Sequence, residues 1–187
     1  MSLAEQKFYE GMDLYWDDET AEEAIAKFTE AIELDPYYAD AYEKRGDCYH
    51  LNLRNYYTSV AISDYTQAIA LEQDHEKLER LYFVRGSAYE RLENYEHAIE
   101  DATQAIKLIP KSRNYYRRGH AYFNSGNYSK AISDFTKAIQ INSDAFLYYL
   151  VRGLAYNELG EVEHAILDIK KALELKREDS KAWNLKW

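Results

Sequence analysis

An all-α protein assembled from stacked antiparallel helix pairs is what this sequence predicts, and three observations carry that prediction. The string Ala-Ile-x-x-Phe/Tyr/Ala-x-x-Ala-Ile recurs at Ala24–Ile32, Ala61–Ile69, Ala98–Ile106 and Ala131–Ile139, with a degenerate fifth copy from Ala165 to Leu173. A second string, Tyr-x-x-Arg-Gly-x-Ala/Cys-Tyr, precedes four of these copies: Tyr42–Tyr49, Tyr82–Tyr89, Tyr115–Tyr122 and Tyr149–Tyr156. Within each copy the large and small residues return at spacings of three and four, which marks one face of a helix. Each copy therefore contributes two amphipathic helices, here called helix A and helix B. Such a pair cannot bury its apolar face alone, so neighbouring pairs stack into a one-dimensional solenoid.

The copies lie in order at about residues 5–38, 39–75, 79–111, 112–145 and 146–179, within one domain spanning 1–187. Taken with Tyr15, the closing tyrosines are spaced by 34, 40, 33 and 34 residues. In the first copy Phe8 and Tyr15 are in register while Gly11 and Met12 look exchanged, as in an atypical terminal cap. The second copy carries three additional residues around Leu53 to Tyr56, and three more, Glu76 to Leu78, fall between copies two and three. Both additions are expected in surface loops, which lengthen at little entropic cost. Gly46, Gly86, Gly119 and Gly153, with Ala or Cys two residues later, let a partner helix approach closely. Ala61, Ala98, Ala131 and their neighbours do the same from helix B. Residues Ser180 to Trp187 begin a further helix, with Trp183 at the aromatic position of helix A; it is either a capping helix or the start of another pair.

A period of 34 residues with an aromatic, a Gly, a Tyr, then Ala, Phe and Ala resembles the tetratricopeptide repeat. Pro36 and Pro110 match the closing proline of that pattern, while Gln73, Ser143 and Arg177 replace it elsewhere. The resemblance covers residues 5–179 and implies five such repeats in a right-handed superhelix, followed by a C-terminal helix. It also implies a non-enzymatic scaffold, with the first helix of each repeat lining a concave groove that holds a peptide or helix of a partner protein.

The helical wheel names the groove side. Repeat two gives Asp40, Glu43, Lys44, Asp47 and His50; repeat three gives Arg80, Phe83, Val84, Ser87 and Arg91. Repeat four gives Arg113, Tyr116, Arg117, His120 and Asn124; repeat five gives Leu147, Leu150, Val151, Leu154 and Asn157. The C-terminal half is thus apolar with arginines at one edge, and an exposed apolar strip is the usual signature of a partner. The peptide-binding residues expected are Arg80, Phe83, Val84, Arg113, Tyr116, Arg117, His120, Leu147, Leu150, Val151 and Leu154. Apolar anchors of the partner would bury against the rings and leucines, with acidic flanks held by Arg80, Arg113 and Arg117. One subgroup of the family grips the acidic tails of chaperones with a Lys and Asn four apart, a second Asn and a Lys/Arg pair. Arg113 and Arg117 match that last pair, but Glu43, Asp47 and Val84 occupy the other three places, and two carboxylates repel a tail carboxylate.

Four arginines precede the helix-A glycines: Arg45, Arg85, Arg118 and Arg152. In the same repeats Asp64, Asp101, Asp134 and Asp168 follow the helix-B alanine by three residues. A partly buried Arg–Asp pair in each repeat is expected, which would fix the packing register. Repeat one lacks both members, with Gly11 and Lys27 at those places.

Composition narrows the function further. Seven Gly and two Pro leave no room for glycine-rich phosphate loops or proline-rich linkers. No apolar run approaches the ~18 residues of a membrane span, and the start has no signal-like core, so a cytoplasmic location without membrane insertion is expected. A net charge of −10 and a pI near 5.0 argue against nucleic acid. Residues 1–38 hold 11 acids and 2 lysines, so most of that charge belongs to the first repeat. The five histidines are scattered without metal-like spacing, and Cys48 stands where other repeats have Ala, as a packing residue. No catalytic, metal or cofactor motif emerges. The alternatives to peptide binding are self-association through the apolar C-terminal groove and the Trp183/Trp187 end, or service as the recruiting arm of a larger enzyme.

Overall fold

The computed structural model describes residues 1–52 and 57–184, with backbone alone for residues 18, 51, 52 and 179–184. Among the described residues ten α-helices form five antiparallel pairs, and no strand occurs. The chain divides into two compact units, Met1–Leu108 and Ile109–Trp187.

The first unit holds three pairs: α1 (Leu3–Leu14) with α2 (Ala21–Leu34), α3 (Ala39–Asp47) with α4 (Thr58–Leu71), and α5 (His75–Arg91) with α6 (Tyr95–Leu108). α1 opens with a capping box in which Ser2 and Glu5 each bond the other's backbone N–H. Each helix B also packs on the following helix A, α2 on α3 and α4 on α5. The core runs through Phe8, Ala24, Phe28 and Ala41, then through Ala61, Tyr65, Leu81 and Ala88. The second unit holds α7 (Ser112–Asn124) with α8 (Tyr128–Ile141), and α9 (Phe146–Glu158) with α10 (Val162–Asn184), around Ala131, Phe135 and Ala155.

Small residues sit where helices approach most closely. A Cβ added at Gly119 would lie 2.8 Å from the ring of Phe135, so helix A can pass this point only without a side chain. The A-to-B turns of repeats three to five share one hydrogen-bonded form. Asn94, Asn127 and Glu161 donate their N–H to the carbonyls of Tyr89, Tyr122 and Tyr156 at 2.8–2.9 Å, and Glu93, Gly126 and Gly160 take positive φ.

Three expectations change. The helix-A glycine of repeat one is Gly11 itself: its Cβ would meet Phe28 at 2.7 Å, as that of Gly119 would meet Phe135. Nothing is exchanged; α1 is shifted by one residue, and Tyr15 still packs on the core beside Phe28 while its hydroxyl reaches Asp47. Glu76 to Leu78 are not a loop. They belong to α5, because Asp74 caps the helix by accepting from the N–H groups of Glu76 and Lys77. At the C-terminus no new helix starts at Ser180: α10 runs unbroken to Asn184, since Arg177-Glu178-Asp179 contains neither Gly nor Pro. The side chain of Trp183, all of Trp187 and the insertion at Leu53 to Tyr56 lie outside the described residues. The insertion is preceded by a π-helical turn, Cys48–Asn52.

Candidate functional site

Each helix A is held by the residue before its glycine. Arg45 grips Asp64 with Nε and Nη2 at 2.8 and 2.7 Å, and Arg85 grips Asp101 at 2.9 and 2.7 Å. Arg118 with Asp134 and Arg152 with Asp168 repeat the bidentate contact at 2.7 and 2.8 Å. The expected pair is therefore present in all four repeats, with the guanidinium lying over the tyrosine three residues earlier, 5.6–6.0 Å from its ring centre. Repeat one does have a pair after all, with the signs exchanged. Glu10 precedes Gly11 and meets Lys27 at 3.1 Å, with Lys7 and Glu30 completing a four-membered network. The shift in α1 explains why its sequence hides this pair.

With the frame fixed, the groove side of the two units differs. In the first unit the two carboxylates of repeat two are buried, Glu43 at 2% and Asp47 at 6% exposure. Asp47 accepts hydrogen bonds from the hydroxyls of Tyr65 (2.9 Å) and Tyr15 (3.2 Å) and from Lys44 Nζ (3.0 Å). Glu43 is paired with Lys44 and with Arg80 Nη1. Burial pushes the Glu43 carboxyl above its usual range, against the opposing pull of Lys44 and Arg80. Burial first, and then the charge of Asp47, raises the hydroxyls of Tyr15 and Tyr65. Arg91 donates to the carbonyl of His50 within the π-turn at 2.6 Å. Arg80 and Arg91 thus serve internal contacts, and Val84 packs on the core. Phe83 is half-buried. Cys48 is fully buried and its thiol is pushed up to about 12 by desolvation, so it stays protonated at neutral pH.

In the second unit the same side of the helices is apolar and open. Tyr116 sits between the rings of Tyr148 (5.3 Å), His120 (5.8 Å) and Phe135 (6.1 Å), half-buried against the core. Val151 packs beside it. Leu147 and Leu154, one on either side of Val151 along α9, remain 38% and 43% exposed. Arg113 is exposed and Arg117 half-buried on α7. His120 lies 3.2 Å from the side-chain amide of Asn124. Leu150 turns toward α10, where it lines a small pocket of about 110 Å³ with Phe146, Ile169, Ala172, Leu173 and Lys176. Of the expected residues, then, Tyr116, Val151, Leu147 and Leu154 form one surface and Leu150 another, while Arg80 and Val84, both half-buried, are engaged within the first unit by Glu43 and by the core. The sequence did not point to the Tyr15 hydroxyl as a partner of Asp47, or to the exposed rings of Tyr9 and Trp16.

Among the described residues no three His, Cys, Asp or Glu side chains cluster as a metal set, and no helix is long and apolar enough to cross a membrane. The geometry defines a helical repeat protein with an aromatic and apolar face. Tetratricopeptide repeat models match residues 79–112, 113–144 and 147–179, and a further TPR repeat model matches residues 14–52. The chain belongs to the tetratricopeptide repeat family. Its fold is that of the MamA crystal structure, with 26% identity and a TM-score of 0.79 over 97% of this chain and 98% of that one. MamA (residues 41 to the end) from Desulfovibrio magneticus RS-1 matches at 18% identity and a TM-score of 0.84, over 94% and 96% of the two chains. YrrB, described as a TPR protein with an unusual peptide-binding site, matches at 21% and 0.73, over 89% and 83%. No curated protein sequence matches the chain. Family and fold support a protein-interaction scaffold.

Proposed function

We propose that the chain is a non-enzymatic scaffold that binds a peptide or helix of a partner protein on the α7 and α9 face of its second unit. The observation that carries this reading is the exposure of Leu147 and Leu154 on either side of Val151 and next to the Tyr116 ring cluster. An apolar residue of the partner would bury against these two leucines, and Arg113 at the rim would favour an acidic neighbour. Binding is expected at the transient end, because a free peptide must be ordered on the surface. The test is selection of binders from a random peptide library, followed by titration of the best peptide against wild type and Leu147→Glu/Leu154→Glu. The selected peptides should carry an apolar anchor with acidic flanks, and the variant should bind at least ~10-fold more weakly, as for loss of an interface anchor. Unchanged affinity in a variant that melts like wild type removes this face as the site.

A further inference from the structure

Three junctions between consecutive repeats are built alike. The arginine before the helix-A glycine reaches back to a threonine of the preceding repeat, always five residues after that repeat's helix-B alanine. Arg45 donates to Thr29 at 3.1 Å, Arg85 to Thr66 at 3.0 Å and Arg152 to Thr136 at 3.0 Å. Both of these positions change in the first and the fifth repeat. Before Gly11, repeat one carries Glu10 instead of Arg; five residues after Ala165, repeat five carries Lys170 instead of Thr. Glu10's partner within its own repeat has changed sign with it, since Lys27 stands where the other four repeats have Asp. Lys170 is exposed.

We infer that the outer flank of repeat five receives repeat one of a second copy of this chain, with the incoming Glu10 beside Lys170. An exposed ion pair alone would be weak, but the apolar surfaces correspond as well. At the first junction, Tyr38, eight residues before its glycine, packs on Phe8, three residues before Gly11, with ring centres 5.0 Å apart. On the outer flank of repeat five the residue three before Gly153 is Leu150, which lines the open pocket beside Leu173, itself 64% exposed. The residue eight before Gly11 is Leu3, 56% exposed. Leu3 and Glu10 are two turns apart on one side of α1, so a single approach brings Leu3 to the pocket and Glu10 to Lys170. The overall charge favours the same pairing: residues 1–108 carry 24 acids and 10 bases, a net −14, and residues 109–187 carry 9 acids and 13 bases, a net +4. The contact joins two different surfaces, so it extends head to tail instead of closing as a symmetric dimer.

Sedimentation equilibrium across concentration tests this inference. For wild type the average mass should climb past that of a dimer without a plateau, and should fall at high salt, which screens the ion pair. Leu3→Asp disables the head of the chain and Leu173→Glu the tail, both at exposed positions where melting should match wild type. Each variant alone should stay monomeric. Their equimolar mixture should stop at a dimer, because one intact tail then meets one intact head. Lys170→Glu should weaken the association ~10-fold, as for the loss of a complementary charge. A wild type that is monomeric throughout, or that plateaus as a dimer, overturns the inference, as does a mixture of the two variants that fails to associate. A chain that is monomeric here and still loses peptide binding in Leu147→Glu/Leu154→Glu retains the scaffold reading without this one.

Discussion

Asp47 and Leu154 occupy the same place in their repeats, immediately after the helix-A glycine, yet they lead opposite lives. Asp47, in the first unit, is 6% exposed and accepts from two tyrosine hydroxyls and a lysine; Leu154, in the second, is 43% exposed. The repeat frame is common to both units and rests on the glycine and the Arg–Asp pair. What differs is whether the groove positions face their own neighbours or solvent. In the first unit, repeat two has turned its positions inward as a charged and tyrosine-lined network. The second unit has kept them available, and a family resemblance alone does not tell these two uses apart.

The largest effect should come from Asp47→Ala. It leaves the hydroxyls of Tyr15 and Tyr65 without their acceptor and Lys44 with Glu43 alone, at a cost of about 3–5 kcal/mol for breaking a buried charged network. Leu154→Ala should stay within about 0.5 kcal/mol, as for an exposed position. Chemical denaturation of both variants decides the matter, and equal losses would erase the distinction between the two faces.

The Arg–Asp pair, shared by both units, supplies the control. Arg118→Leu or Asp134→Leu alone should cost up to about 3 kcal/mol by leaving one charge without its partner, and the double variant should cost clearly less than the sum. Strict additivity in that double-mutant cycle would show that the 2.7 and 2.8 Å contacts carry no coupling.

Glu43 sharpens the comparison through pH. Burial raises its folded-state pKa above the unfolded value, so its favourable contribution is complete below about 4.5 and is lost as pH rises through the folded value. Replacement by Gln removes that titration. The melting temperature of Glu43→Gln relative to wild type should therefore increase between pH 4 and pH 7. A difference that does not change with pH would mean that Arg80 and Lys44 fully offset the desolvation of Glu43.

The Arg–Asp pairs of repeats two to five and the A/B helix order were legible because they hang on a glycine whose place is unmistakable. The pair in repeat one was not. Aromatic residues serve both three and four positions before the glycine, so Phe8 and Tyr15 aligned convincingly one residue out of step with Gly11. The burial of Glu43 and Asp47 was also hidden, since adjacent carboxylates ordinarily mark a solvated face. A signal did exist: Tyr65 replaces the phenylalanine found at Phe28 and Phe135, and a buried hydroxyl at that place needs an acceptor. The different fates of Leu150 and Leu154 depend on how far α10 covers each residue of α9, which no pattern along the chain encodes.

The A-to-B turns give the smallest predicted effect and the cleanest contrast between the units. Repeats four and five, in the second unit, place Gly126 and Gly160 at the positive-φ residue, with φ of 80° and 77°. Repeat three, in the first unit, places Glu93 there at φ 57°, where a side chain is disfavoured. The hydrogen bonds are otherwise the same: Asn94 donates to Tyr89 as Asn127 does to Tyr122. Glu93→Gly should therefore relieve the left-handed strain while adding some unfolded-state entropy, for a net gain of about 0.5 kcal/mol. The reverse change, Gly126→Glu, should cost about 1 kcal/mol, since nothing lies within 4 Å of Gly126 to clash and only the backbone preference is at stake. If denaturation shows Glu93→Gly to be neutral or destabilising, the glutamate side chain compensates for its own strain, and the turns of the two units are not energetically equivalent.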